Sequence, residues 1–500
     1  MKEKDKVHKL IRSLSGAEKR YFKIFTEQFT VGENNQFIRL FNAIGSLEKY
    51  DDKEITHHFE GEKFVRYLSS KKVHLYNHMI RSLQLFHSGK TADVRVVDLL
   101  KSVRLLYDKG LDSHCESLLQ KAKRISYRYE KFALLLEILE WERIIIYSNP
   151  TNVKKQLRHI NKEKLLALEK LNTIEKYQSL LDVPLRFIYG MGFIRRRSDL
   201  KTVDSIMRHP FLMNKKYCNS FSSLLDYYRT LAGCLVLKRD LKRCLKFRKA
   251  AAHLFDSFPY MIGEYLETWL NVHYGLLIIG NEIRKTEIME ETIQKLKNLH
   301  RHIKYPVPPV TEGKIFFLEK FYTLKILIHK KDFRQAEVMG NAILPGIEQR
   351  PVSLMPQLRN YLLIELAAYL IFSGNMHLSL RLMNSVMHDT SCEKPHHFMV
   401  LLRMLYMIVH FELGHKQLLE YLSKSDERYF IKHKILYKFE MVMLRTFKKL
   451  SVTGEPDRQI ELLTKLKQQL LLLKDDRFEG MPFQDFDYLL WIDKITGRLG

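Results

Sequence analysis

Leu358–Asp389 reads LRNYLLIELAAYLIFSGNMHLSLRLMNSVMHD: an apolar stretch, a break at Ser373-Gly374-Asn375, and a second periodic stretch. Leu363, Leu366, Ala367, Leu370 and Ile371 recur at helical spacing and predict one buried stripe on the first helix. Gly374 supplies the positive φ at which a helix stops without strain. The small residues Ala367 and Ser379 flank the turn, where two helices must approach closely. The stretch is a helix-turn-helix unit, and it sets the pattern to look for elsewhere.

Copies of it follow from about residue 91. Turn signals fall at Gly110, Asn149-Pro150, Ser198-Asp199, Arg239-Asp240, Gly280-Asn281, Lys331-Asp332, Gly374-Asn375, Gly414-His415 and Gly454-Glu455. Their spacing is about 40–50 residues, the mark of a stacked helical-hairpin array. An apolar helix precedes each turn and a more basic, amphipathic one follows, as in Phe221–Lys238 with Leu241–Phe255. The expected fold is all-α: an α-solenoid of about nine helix-turn-helix pairs with a distinct N-terminal helical segment. Residues 1–90 form that segment, 91–303 and 311–500 hold the repeats, and a capping helix around Phe483–Ile495 ends the second block. Between the blocks, Lys304–Val310 (KYPVPPV) forces extended backbone and reads as a rigid inter-repeat loop or a sub-domain boundary.

These residues resemble the tetratricopeptide (TPR) superfamily. Gly374 lies seven residues after Ala367, as the small residues of that family do. Asp332-Phe333-Arg334-Gln335-Ala336 looks like its acidic–aromatic–x–x–Ala opening of the second helix, and Gly110, Cys115, Leu119 and Ala122 fit the same frame. So do Asp240, Leu241, Cys244 and Ala251. The chain departs from the family in lacking its Trp, in matching its closing Pro only near Pro259, and in a period of about 43 rather than about 34 residues. The resemblance implies a TPR-like scaffold binding a protein or peptide partner on a concave face, and no particular contact residue. The opening Leu14–Phe25, LSGAEKRYFKIF, also resembles uncharacterised bacterial helical-repeat proteins and implies no activity.

Residues 1–90 allow two readings. Ser15 with Glu18 forms a capping-box pattern, and a long helix over Lys63–Phe86 places Lys71, His74, His78 and Arg81 on one side. With Asp52–Phe59 before it, that helix would make a DNA-binding helix-turn-helix. The alternative is an N-terminal cap for the repeats. The helix lacks the Asn, Gln or Arg cluster at its start that base reading favours.

Composition narrows the function classes. Hydrophobic residues are 46% and charged residues 28%, so the chain folds; Gly (21) and Pro (13) are few, which suits helices. MKEKDKVHKL is followed by no apolar core of a signal peptide, and charges such as Glu365 and Arg403 interrupt the most apolar runs. A cytoplasmic protein without a membrane span is expected. Five cysteines without CxxC spacing predict reduced, buried thiols. No phosphate loop, nucleophile elbow or HExxH occurs. Gly190-Met191-Gly192 is a lone GxG; His74 and His78 share a helical face without further ligands. No catalytic, cofactor-binding or metal residue is expected, and no enzyme.

The formal charge is +26, with the excess spread along the chain. Its densest run is Lys238–Lys249, KRDLKRCLKFRK. Arg239, Lys242, Arg243, Lys246 and Lys249 follow helical spacing and are the candidate contacts for an anion or nucleic acid. Arg195-Arg196-Arg197 is a candidate extension of that patch. The alternative function is thus a nucleic-acid-associated regulatory protein using this basic stripe.

Overall fold

The computed structural model describes residues 6–29, 34–148, 152–191, 197–303, 305–350, 353–394, 396–476, 479–480 and 482–499. Among the described residues every regular element is a helix. The chain divides into two compact units, Met1–Leu168 and Glu169–Gly500.

The first unit holds α1 (Lys6–Ser13), α2 (Gly16–Phe29), α3 (Asn34–Ser46), α4 (Asp52–His58), α5 (Leu68–Phe86), α6 (Ala92–Tyr107), α7 (Asp112–Arg128) and α8 (Phe132–Ser148). The start of α9 (Val153–Met191) belongs to it as well. The expected capping box forms: Ser15 N–H donates to Glu18 Oε2 at 2.7 Å, and Glu18 N–H to Ser15 Oγ at 3.2 Å. Phe22, Phe41, Phe59, Phe64, Leu68, Leu75 and Met79 build one core. The long helix expected over Lys63–Phe86 is a tight 3-10 turn at Lys63–Tyr67 followed by α5. That turn seats Phe64 edge-on against Phe59, 5.1 Å between centroids.

The second unit continues with α10 (Arg197–Met207) and α11 (Pro210–Met213). Helical hairpins follow: α12 (Phe221–Leu237) with α13 (Leu241–Ser257), α14 (Leu266–Glu282) with α15 (Thr286–Lys297), and α16 (Pro309–His329) with α17 (Phe333–Glu348). Next come α18 (Pro356–Ser373) with α19 (Met376–Met387), α20 (His396–Glu412) with α21 (Lys416–Lys432), and α22 (Lys438–Val452) with α23 (Pro456–Lys474). The short α24 (Pro482–Asp485) and α25 (Tyr488–Leu499) end the chain.

One turn chemistry recurs. A left-handed residue ends the first helix at Gly110 (φ 72°), Arg239 (58°), Arg284 (53°), Lys331 (56°), Gly374 (88°) and Gly414 (73°). The next N–H then bonds the carbonyl five residues back, as in Asp240 to Leu235 at 3.0 Å and Asn375 to Leu370 at 3.0 Å. This closes a Schellman motif and satisfies a carbonyl that the helix end would orphan. Asp240, Asp332 and Asn375 then cap the following helix with their side chains. The close approach expected at Ala367 and Ser379 is made by a hydrogen bond, Ser379 Oγ to Ala367 O at 2.8 Å. Cys115 does the same to Val103 O (3.4 Å) and Cys244 to Ala232 O (3.3 Å), so a small donor at one fixed position ties the two helices.

The structure departs from the expected turns in two places. At Gly280-Asn281 helix α14 runs on to Glu282, and Arg284 is the left-handed residue. Gly280 serves packing instead: a Cβ there would stand 2.8 Å from Met289 Cγ. Ser198-Asp199 lies inside α10, not in a turn. Asn149-Pro150, Gly192 and Lys304 lie outside the described residues. Of the Pro-rich stretch, Pro308 is extended (ψ 140°) and Pro309 opens α16, where its missing N–H costs nothing.

The single buried stripe expected on α18 is too narrow. Every residue from Leu362 to Phe372 is buried, including Glu365. The neighbouring helices α16, α17 and α19 together cover α18 on more than one side, and at its end Lys494 bonds the carbonyl of Phe372.

Two outcomes follow. Gly374→Ala places a Cβ at φ 88° and is expected to cost about 1 kcal/mol, while Lys331→Gly relieves the same strain and gains up to about 1 kcal/mol in urea unfolding. His273 is 0% exposed, and burial pushes its pKa from 6.5 down to about 4. Unfolding frees it to take a proton, so its contribution is complete above pH 6.5 and is lost as pH falls towards 4. Stability should drop by about 2 kcal/mol from this residue between pH 7 and pH 5. His273→Phe should flatten that part of the pH profile; an unchanged slope would contradict it.

Candidate functional site

Charged residues buried in apolar helices are costly unless paired, so their positions mark where a fold is specialised. In the second unit they gather along the first helices of successive hairpins. Lys325 on α16 and Glu365 on α18 meet at 2.8 Å with side chains only 8% and 4% exposed. Glu282 at the end of α14 receives Arg239 from the turn after α12 at 3.4 Å. Arg248 of α13 reaches the same region past Gly275 of α14, where a Cβ would stand 1.5 Å from Nη1. Its charge and that of Arg239 offset the burial that pushes the Glu282 carboxyl up.

The C-terminal segment closes this seam. Phe483 and Tyr488 lie 6.0 Å apart and both pack on Phe439 of α22, at 5.5 and 5.0 Å. Between these two rings, Gln484–Asp487 projects as a finger. Gln484, with its amide turned to satisfy both partners, donates to Glu282 at 3.2 Å and accepts from Arg239. Lys325 Nζ donates to the Asp485 carbonyl at 2.9 Å. Phe486 stacks on Phe372 at 4.8 Å and 18°. Asp487 pairs with Arg284 at 3.4 Å. Burial raises the pKa of both Asp485 and Glu365, and Lys325 opposes it in each case. One lysine thus serves two buried carboxylates, and Glu365 Oε1 is left without a hydrogen-bond partner.

Asp487 caps the start of α25 by accepting from Leu490 N–H at 3.1 Å, and the helix has further anchors of its own. α25 packs on α23, Trp491 Nε1 donates to Glu412 at 2.8 Å, and Arg498 pairs with Glu412 at 2.8 Å.

The structure splits the sequence-derived basic stripe. Lys242, Arg243, Lys246 and Lys249 are exposed on α13. Arg239 is not with them. It precedes the helix, its left-handed backbone breaks the helical register, and its guanidinium turns to Glu282. Arg243 also holds Asp240 at 2.5 Å. Arg195 and Arg196 lie outside the described residues, and Arg197 opens α10. In the first unit, the expected basic side of α5 is partly used in packing. His78 sits among Phe22, Phe25 and Phe37, where burial lowers its pKa, and Lys71 lies over Phe37 at 5.6 Å.

Among the described residues no group of His, Cys, Asp and Glu is arranged to hold a metal ion, and no helix is long and apolar enough to cross a membrane. Cys115, Cys234 and Cys244 are buried free thiols, while Cys218 and Cys392 are half-buried. The seam escaped the sequence reading because its partners are up to 245 positions apart. The available signal was a lone charge inside an apolar helix, Lys325 in FYTLKILIH and Glu365 in YLLIELAAYL. No protein-family model matches the chain, and no curated protein or solved structure does either.

Lys325→Met removes the cation bonded to Glu365 and should cost about 3–5 kcal/mol by urea unfolding. Lys325→Met with Glu365→Leu should recover most of that loss. Two independent, additive losses would show that the pair does not act as a unit.

Proposed function

We propose that the chain is an α-solenoid of TPR-like hairpins acting as a non-enzymatic scaffold, with a protein or peptide partner bound along the first helices of its second unit. The observation that carries this reading is that these helices already hold a stretch of polypeptide. α14, α16, α18 and α22 each give a side chain to the segment Gln484–Tyr488 or its flanking ring at Phe483. Ion pairs, a ring stack and a bond to a backbone carbonyl are the contacts by which such surfaces recognise extended chains. The recurring turn and the fixed inter-helix hydrogen bond support the repeat architecture. The seam's ionisable groups face one another as ion pairs, which suits binding more than proton transfer.

A second reading rests on Lys242, Arg243, Lys246 and Lys249, exposed on one face of α13. Such a row suits the phosphates of a nucleic acid.

Affinity capture of the full chain from its native cell, with and without nuclease, separates the two. The scaffold reading expects a stoichiometric protein that survives nuclease and is retained by Lys246→Glu/Lys249→Glu. The nucleic-acid reading expects material lost to nuclease, and a salt dependence reduced by about 2 in slope by that double variant.

A further inference from the structure

We propose that Gln484–Asp487 is a resident occupant of a peptide-binding groove, and that the groove's partner ligand is an acidic–aromatic segment of the same chemistry, Asp-Phe-Asp flanked by aromatic residues. This rests on the scaffold reading and names the ligand class of that site.

The finger is built as an insert. Its two ends are pinned together on Phe439, Phe486 also packs on Tyr488 at 5.0 Å, and Asp487 caps the start of α25 by accepting from Leu490 N–H at 3.1 Å. α25 has its own anchors at Glu412 and α23. The tip is held by polar contacts on either side of one buried ring, Phe486, which packs on both Phe372 and Tyr488.

The seam's charge selects the ligand. Without the finger's two aspartates it holds more cations (Arg239, Arg248, Arg284, Lys325) than carboxylates (Glu282, Glu365). An acidic segment restores the balance, with Phe372 as the platform for an aromatic residue between the acids. The resident fit is also incomplete: Glu365 Oε1 has no hydrogen-bond partner. A partner segment that adds a donor there gains what the finger lacks, because an unmet buried acceptor is costly. Such a gain is needed, since a tethered occupant competes at an effective concentration on the order of millimolar.

The test uses the full chain and a fluorescein-labelled synthetic peptide spanning residues 480–489, followed by fluorescence anisotropy. The variant Asp485→Asn/Phe486→Ala/Asp487→Asn weakens the finger's hold. It should bind the peptide at least about 10-fold more tightly than the native chain does. Adding Arg284→Glu, at a side chain 60% exposed, should remove most of that gain. A folded variant that binds no better than the native chain overturns the proposal. Where the triple variant does not fold, hydrogen exchange on the native chain decides. Amides of 484–487 should exchange faster than those of α18, and equal protection would make the finger part of the core and overturn the proposal. Peptide binding without any captured protein leaves the groove standing and removes the scaffold reading; a captured partner without peptide binding does the reverse.

Discussion

Lys325 sets the main constraint on the second unit. Its ammonium is almost out of water, bonded to Glu365 of the neighbouring hairpin and to the carbonyl of Asp485 from the end of the chain. A charge in such a place must be fully compensated, because the cost of removing it from water exceeds what one exposed ion pair returns. The partners come from α16, α18 and residues 160 positions apart, so the pair fixes how these elements meet. Apolar packing alone would tolerate sliding of one helix past another. A buried lysine with two carboxylates nearby does not, and we read the seam as a device for register as much as for stability.

The hairpins supply what the seam needs. The first helices α12, α14, α16, α18 and α20 are closed by a left-handed residue and a Schellman bond, and a short donor, Cys244 or Ser379, ties α13 to α12 and α19 to α18. The first helices are therefore held at similar depth, with little apolar surface left for solvent. Their buried charges face a common strip that Gln484–Asp487 covers. Among the second helices α13 carries a dense surplus of positive charge, with its exposed row of Lys242, Arg243, Lys246 and Lys249. Seam and stripe are thus different surfaces with different chemistry, and Arg239, counted in the stripe from sequence, belongs to the seam.

Much of the helical fold could be read from the sequence because its signals are local. Gly374, Gly110 and Gly414 adopt the left-handed turns that their glycines suggest, and Ser379 makes the contact expected of a small residue. Gly280 misled for a physical reason: the same absence of a Cβ that permits a turn also permits close packing, and here packing uses it. Arg239, Arg284 and Lys331 show the converse, with non-glycine residues holding left-handed backbone where the helix end demands it. The candidate site was nearly illegible. Its contacts join the turns after α12 and α14 to the last residues of the chain, and no periodicity links them. Only the isolated charges Lys325 and Glu365 hinted that these helices face more than an apolar core.

The claim that the C-terminal finger lies in the seam is tested most directly in solution by crosslinking. Arg284→Cys with Asp487→Cys replaces an ion pair 3.4 Å long at the groove's edge, and a short bismaleimide reports whether the two positions meet. Efficient intramolecular crosslinking is expected, mapped by mass spectrometry to positions 284 and 487. A folded double variant that gives no such crosslink would contradict it.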